Sequence, residues 1–142
     1  NGVLKEYLLD LYSSAKLNIP SNGHAKRDYS TIPYPGLHGL EIPAGKRELK
    51  ELLDEEEVLL VDDVIGAGQS NLLAGDFSLN VGLGYILKRG EVIGRVKDTM
   101  ISGNVYEVFN RNFEASTERK TFRGYTFPYM KLEGIRITSK ET

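Results

Sequence analysis

Cysteine and tryptophan are absent from this 142-residue chain, and histidine occurs only at His24 and His38. The first absence rules out a disulfide framework, a thiolate metal site and a cysteine nucleophile. The scarcity of histidine weighs against a zinc hydrolase centre made by this chain alone, since no His-Glu-x-x-His spacing occurs and a proline-rich stretch separates the two. No Gly-x-Ser-x-Gly elbow offers a serine nucleophile. A basic excess is missing as well: 18 Lys and Arg stand against 20 Asp and Glu, so nucleic acid is not expected as a partner. No apolar run approaches the roughly 20 residues of a membrane span, and the start at Asn1 lacks the basic, apolar, small-residue order of a secretory leader. The expectation is a cytoplasmic domain, and a start without Met suggests a piece of a longer protein or a processed product.

At this length a single domain with an ordinary hydrophobic core is expected over residues 1–142. Acid is concentrated early: residues 1–71 hold seven basic and twelve acidic side chains, residues 72–142 eleven and eight. Half of it lies between Glu48 and Glu57, where Lys46, Arg47 and Lys50 provide opposite charge at helical spacing, which reads as a solvated helix face.

Apolar spacing predicts helices over Val3–Lys16, Lys46–Glu57 and Asn104–Phe113, the last capped by Gly103-Asn104. Between the first two lies a loop from Leu17 to Gly45 that holds four of the five prolines, with one short strand at Leu37–Ile42. Such a length of loop points to a contact surface. Val58–Ile65 reads as a buried strand, and Asp76–Leu87 alternates apolar and polar residues as a half-buried one. Lys88-Arg-Gly90 supplies a turn, so Glu91–Ile101 returns antiparallel in a hairpin of strands about ten residues long. The chain then ends in strands at Lys120–Tyr125 and Leu132–Thr138, split by Pro128. The fold class is α+β, mainly antiparallel sheet with about three helices.

Asp62 and Asp63 are adjacent on a strand and point to opposite faces, so they form no carboxylate dyad. The eleven residues Val58–Gly68 resemble the ribose-phosphate loop of type I phosphoribosyltransferases, which needs a strand, a glycine turn and a helix in succession. This is the less favoured enzyme reading. Gly75, Gly82 and Gly84 within a strand leave room for another backbone or a peptide, and Asp76 and Ser78 share the face opposite Phe77 and Leu79. Asn71, Gly75, Asp76, Phe77, Ser78, Gly103 and Asn104 are therefore the candidate substrate or interface residues, with Gly103-Asn104 also readable as a helix start.

A wider resemblance takes in the same residues. Ile65-Gly-Ala-Gly-Gln-Ser-Asn71, Ala74-Gly-Asp-Phe-Ser-Leu-Asn-Val-Gly-Leu-Gly-Tyr85, Gly90-Glu91 and Val96-Lys-Asp-Thr-Met-Ile-Ser-Gly-Asn104 follow in the order of the C-terminal domain of the TldD/PmbA family. Ser21-Asn-Gly-His-Ala-Lys-Arg27 upstream and Pro128-Tyr129 with Gly134 downstream extend the likeness to residues 2–138. Gly68 and Ala74 depart from it, standing where the family often has histidine and serine. The resemblance implies a two-subunit peptide-processing metalloprotease, members of which carry the name modulator of DNA gyrase. It also implies that zinc is held by the TldD-type subunit through a His-Glu-x-x-x-His motif and a later cysteine. Neither feature occurs here, so the chain resembles the metal-free PmbA (TldE) type. A zinc-bearing TldD-like partner, peptide or unfolded-protein substrates and an oligomeric full-length chain are then implied. The alternative is an autonomous peptide-binding or regulatory domain of the same fold.

Overall fold

The computed structural model describes residues 3–71, 73–111 and 113–139. The described residues fall into two compact units, one within Ala44–Arg119 and Pro128–Thr142, the other within Asn1–Pro43 and Lys120–Phe127.

The larger unit is organised by β5 (Asp76–Lys88), the strand whose alternation is clearest in the sequence. Val81 and Leu87 on it are buried, whereas Ser78 and Asn80 are exposed, as a two-residue period requires. Antiparallel to one edge runs β4 (Val58–Ile65). A turn through Arg89 and Gly90, both with positive φ, brings the chain back along the other edge. There β6 (Glu91–Arg95) pairs with the end of β5 and β7 (Thr99–Asn104) with its beginning. The expected hairpin is present, with its return strand broken at residues 96–98, where Asp98 adopts φ 48°. A last strand, β10 (Arg136–Ser139), adds antiparallel to β7, giving the order β10-β7-β5-β4.

A second sheet joins β8 (Phe113–Phe122), β9 (Tyr125–Leu132) and β3 (Leu40–Glu41), with β3 parallel to β9 at Tyr125 and Thr126. Pro128, expected to split two strands, lies buried inside β9. The reason is edge geometry. Thr126 accepts from Ile42 on the β3 side, and Tyr129 N donates to Ser116 Oγ on the β8 side. By alternation the proline nitrogen faces the edge that β3 has already left, so no ladder bond is lost.

The first two helices are shorter than the periodicity suggests, and each boundary has a local cause. Residues Val3–Leu9 form no regular element; there Leu9 N donates to Asn22 Oδ1 and Asn22 Nδ2 donates to Tyr7 O, a side-chain clasp in place of helical backbone pairing. Asp10 then caps α1 (Leu11–Leu17) by accepting from Ser13 N at 2.7 Å, and Asn18 ends it at φ 54°. α2 (Leu49–Leu53) begins late because residues 45–47 are drawn along β8: Gly45 N donates to Ser116 O and Thr117 N to Arg47 O, both at 2.8 Å. α3 (Val105–Asn110) starts at its expected cap, Asn104, and stops three residues early. The long stretch before α2 carries β1 (Ala25–Lys26), paired antiparallel with β2 (Tyr34–Pro35), besides β3. No described helix is long and apolar enough to cross a membrane.

Candidate functional site

All seven sequence-predicted residues meet where β5 begins. Asp76 pairs across the ladder with Asn104, Phe77 with Gly103 and Ser78 with Ser102. Asn71 forms an isolated bridge with Asp76, and its Oδ1 accepts from Ala74 N at 3.2 Å. Asn104 is the hub. Its Oδ1 accepts from Tyr106 N and Glu107 N at the start of α3, and its Nδ2 donates to Ala74 O and Asp76 Oδ1, both at 2.8 Å. An amide offers two donors and two acceptor directions, and all four are used internally. Asn104 is thus a clasp between the 71–76 turn and α3, which favours the helix-start reading over a ligand contact.

The glycines expected to admit a peptide are occupied by the chain itself. Gly75, at φ 78°, lies beneath the Tyr106 ring, with 2.6 Å between the ring and the place a Cβ would take. The Asp63 carboxylate lies over Gly82, and the Val81 and Val96 side chains crowd Gly84. A β-bulge at Asp62 in β4 breaks the strict alternation expected of the two aspartates. Strand addition at β5 is closed too, because both its edges are already paired. Ser78 is exposed and its hydroxyl donates to Met100 Sδ at 3.2 Å. The phosphoribosyltransferase reading fails on topology. After β4 comes a three-residue 3₁₀ turn at Ala67–Gln69 and then the antiparallel β5, so no helix N-terminus follows the glycine turn to cradle a phosphate.

The same loop borders a groove of about 1080 Å³ in the larger unit. Apolar side chains from β4, β5, β7, α3 and β9 line its length, among them Leu59, Leu79, Ile101, Phe109 and Leu132. Ser70, Gly75 and Asp76 belong to its wall, as do Glu55, Lys131 and Glu133. Lys131 Nζ lies 2.7 Å from Glu55 Oε1, 3.6 Å from Glu133 and 3.8 Å from Glu114, and Arg47 bonds Glu114 at 2.8 Å. The hydrogen bond from Lys131 holds the Glu55 carboxyl below its ordinary value, and the bond to Glu55 raises Lys131. Glu114 raises Arg47 in the same way. Part of the acidic run read as a solvated helix face is therefore an ion-pair cluster. Sequence reasoning missed it because its partners lie 67 and 76 residues apart, beyond any local spacing.

Among the described residues no three His, Cys, Asp or Glu side chains are placed to hold a metal ion. His24 and His38 stack with ring centroids 6.4 Å apart, and the three clustered glutamates surround a protein ammonium. This donor set does not fit zinc, which requires imidazole, thiolate or free carboxylate ligands converging on one point.

Residues 1–139 match the family model of the PmbA/TldA metallopeptidase C-terminal domain. The solved structure of TldE from Thermococcus kodakarensis is similar with a TM-score of 0.86 and 31% identity, over 97% of this chain and 32% of that one. A metalloprotease PmbA homologue of Haemophilus influenzae is 33% identical over 76% of this chain and 22% of its own length. A metalloprotease TldD homologue of Buchnera aphidicola subsp. Acyrthosiphon pisum is 25% identical over 96% of this chain and 32% of its own. The chain spans about a quarter to a third of the length of the curated relatives it matches.

Proposed function

This chain belongs to the PmbA/TldD metallopeptidase family as its C-terminal domain, and we propose that it serves the non-catalytic, PmbA-type subunit of a two-subunit peptidase. The observation that carries this reading is the donor set. The chain has no cysteine, its two histidines stack on each other, and the carboxylates beside the groove are neutralised by Lys131 and Arg47. The likeness to TldE supports it further. In this reading zinc belongs to a TldD-like partner subunit, and the present domain shapes the enclosure in which peptides or unfolded chains are held for cleavage. The assembly works in the cytoplasm as an oligomer of full-length chains, with no nucleic acid or membrane involved.

The test is reconstitution. The full-length protein and a TldD-type subunit from the same source cell are purified separately, then assayed for cleavage of an unfolded polypeptide, alone and mixed. Cleavage that needs both chains, and survives removal of any single Asp or Glu of this domain, supports the proposal. Cleavage by the present protein alone contradicts it.

A further inference from the structure

The proposed function leaves the block Ser21–Arg27 unused, and that block holds an asparagine followed directly by glycine. Asn22 Nδ2 donates to Tyr7 O at 2.7 Å, and its Oδ1 accepts from Leu9 N at 3.1 Å. His24 N donates to Leu9 O at 3.3 Å, so residues 22–24 together pin residues 7–9. We infer that Asn22 is a site of spontaneous deamidation, and that its conversion to aspartate or isoaspartate undoes this clasp.

The following residue makes the site. Asparagine is thermolabile in general, but Asn18, Asn71, Asn80, Asn104 and Asn110 each precede Ile, Leu, Val or Arg, whose Cβ shields the backbone nitrogen needed for the reaction. Gly23 has no Cβ. It stands at φ 78°, nothing lies within 4 Å of the place a Cβ would take, and both Asn22 and Gly23 are exposed. Its N–H meets Ser21 Oγ at 3.5 Å, a weak hold on the nitrogen. Once that nitrogen gives its proton to a base in solvent, it attacks Asn22 Cγ; the Cγ–Nδ2 bond breaks, ammonia leaves and a succinimide ring closes. Water then opens the ring. Attack at Cγ returns the normal backbone with an aspartate, and attack at the main-chain carbonyl carbon gives isoaspartate, whose chain runs through Cγ. In sum, side-chain amide and water become carboxylate and ammonium.

The clasp sets the pace and is also what the reaction destroys. While both amide atoms are engaged the side chain cannot turn toward its own backbone, so the reaction waits for the bonds to open, and the bond to Tyr7 is exposed to competing water. An ionised aspartate only accepts, so the donor to Tyr7 O is lost and two oxygens face each other across the same gap. Isoaspartate displaces the carboxylate as well, and Leu9 N loses its acceptor. The buried Leu9 directly precedes Asp10, the cap of α1, so the loosened stretch adjoins the start of that helix. None of this depends on which subunit holds zinc.

Ageing the full-length protein tests it. The protein is incubated for days at mildly alkaline pH, peptide mapping follows the mass gain at each asparagine, and protein isoaspartyl methyltransferase labels any isoaspartate. Hydrogen exchange is read at Leu9 in the same samples. Position 22 is expected to convert at least several-fold faster than positions 18, 71, 80, 104 and 110, and Leu9 to exchange several-fold faster in the converted fraction. Asn22→Asp should show the faster exchange without ageing, and aged Asn22→Gln should show no rise, since glutamine closes its larger imide ring far more slowly. Conversion at position 22 no faster than at the other asparagines would overturn the site. Unchanged exchange at Leu9 in the converted fraction, or an equal rise in aged Asn22→Gln, would overturn the release of the clasp.

Discussion

The ammonium of Lys131 lies 2.7 Å from the carboxylate of Glu55, a residue 76 positions earlier in the chain. That contact ties β9 to the segment following α2, and Glu114 and Glu133 complete a ring of acid around the same nitrogen. Removing the cation takes away a charge that Glu55, Glu114 and Glu133 share and leaves Arg47 beside Glu55 and Glu114, so like-charge repulsion among the carboxylates rises.

The pair makes stability pH-dependent in a definite direction. Glu55 titrates below its ordinary value of 4.5 because Lys131 donates to it. A carboxyl depressed in the folded state contributes stability that is present above its ordinary value and lost as pH falls through the folded one. The full-length protein is expected to lose thermal stability from about pH 5 downward. Lys131→Met should lower the midpoint at pH 7 by several degrees and flatten this acid limb, as thermal scans across pH will show. The raised value of Lys131 adds a loss only on the alkaline side of 10.5.

Asn104→Ala removes both the cap of α3 and the clasp on the 71–76 turn, and should destabilise by about 1–2 kcal/mol in denaturant unfolding. Asn104→Asp keeps the cap acceptor but sets a carboxylate against Asp76 Oδ1, so its deficit should shrink as pH falls. An Asp variant as stable as the parent at pH 7 would show that the side-chain donors of Asn104 are idle.

Gly45 and Gly68 make a controlled comparison. A Cβ at Gly45 would lie 1.7 Å from the carbonyl oxygen of Ala115, so Gly45→Ala must push segment 45–47 off β8 and should cost about 3 kcal/mol or more. Nothing lies within 4 Å of a Cβ at Gly68, and Gly68→Ala should stay within about 1 kcal/mol of the parent. Urea midpoints of the two variants decide the matter.

Leu52 is 3% exposed and is the buried residue of α2. Leu52→Ala should destabilise by about 2–5 kcal/mol, read from the same unfolding curves.

What the sequence made legible is what local chemistry decides. The two-residue alternation of Asp76–Leu87 and the β-branched run Val58–Ile65 fall on β5 and β4 because one face of each strand is the signal. Asn104 announced a cap for the same reason: its side chain reaches the backbone of the next turn. The misreadings are nonlocal. Val3–Leu9 has helical spacing but forms no helix, its backbone bonding the Asn22 side chain instead, and Pro128 is tolerated because β3 ends before reaching it. Gly75 read as open space because Tyr106 reaches it only once α3 has folded back over the turn. The ion cluster around Lys131 carries no spacing at all, since sheet pairing assembles it.

Zinc stoichiometry tests the non-catalytic assignment most directly. The full-length protein, purified in zinc-containing buffer without its partner and then dialysed, is analysed for bound metal beside the TldD-type subunit treated identically. Zinc is expected well below one atom per chain here and close to one in the TldD-type subunit. One tightly bound zinc per chain in the present protein, lost when residues of this domain are substituted, would contradict it.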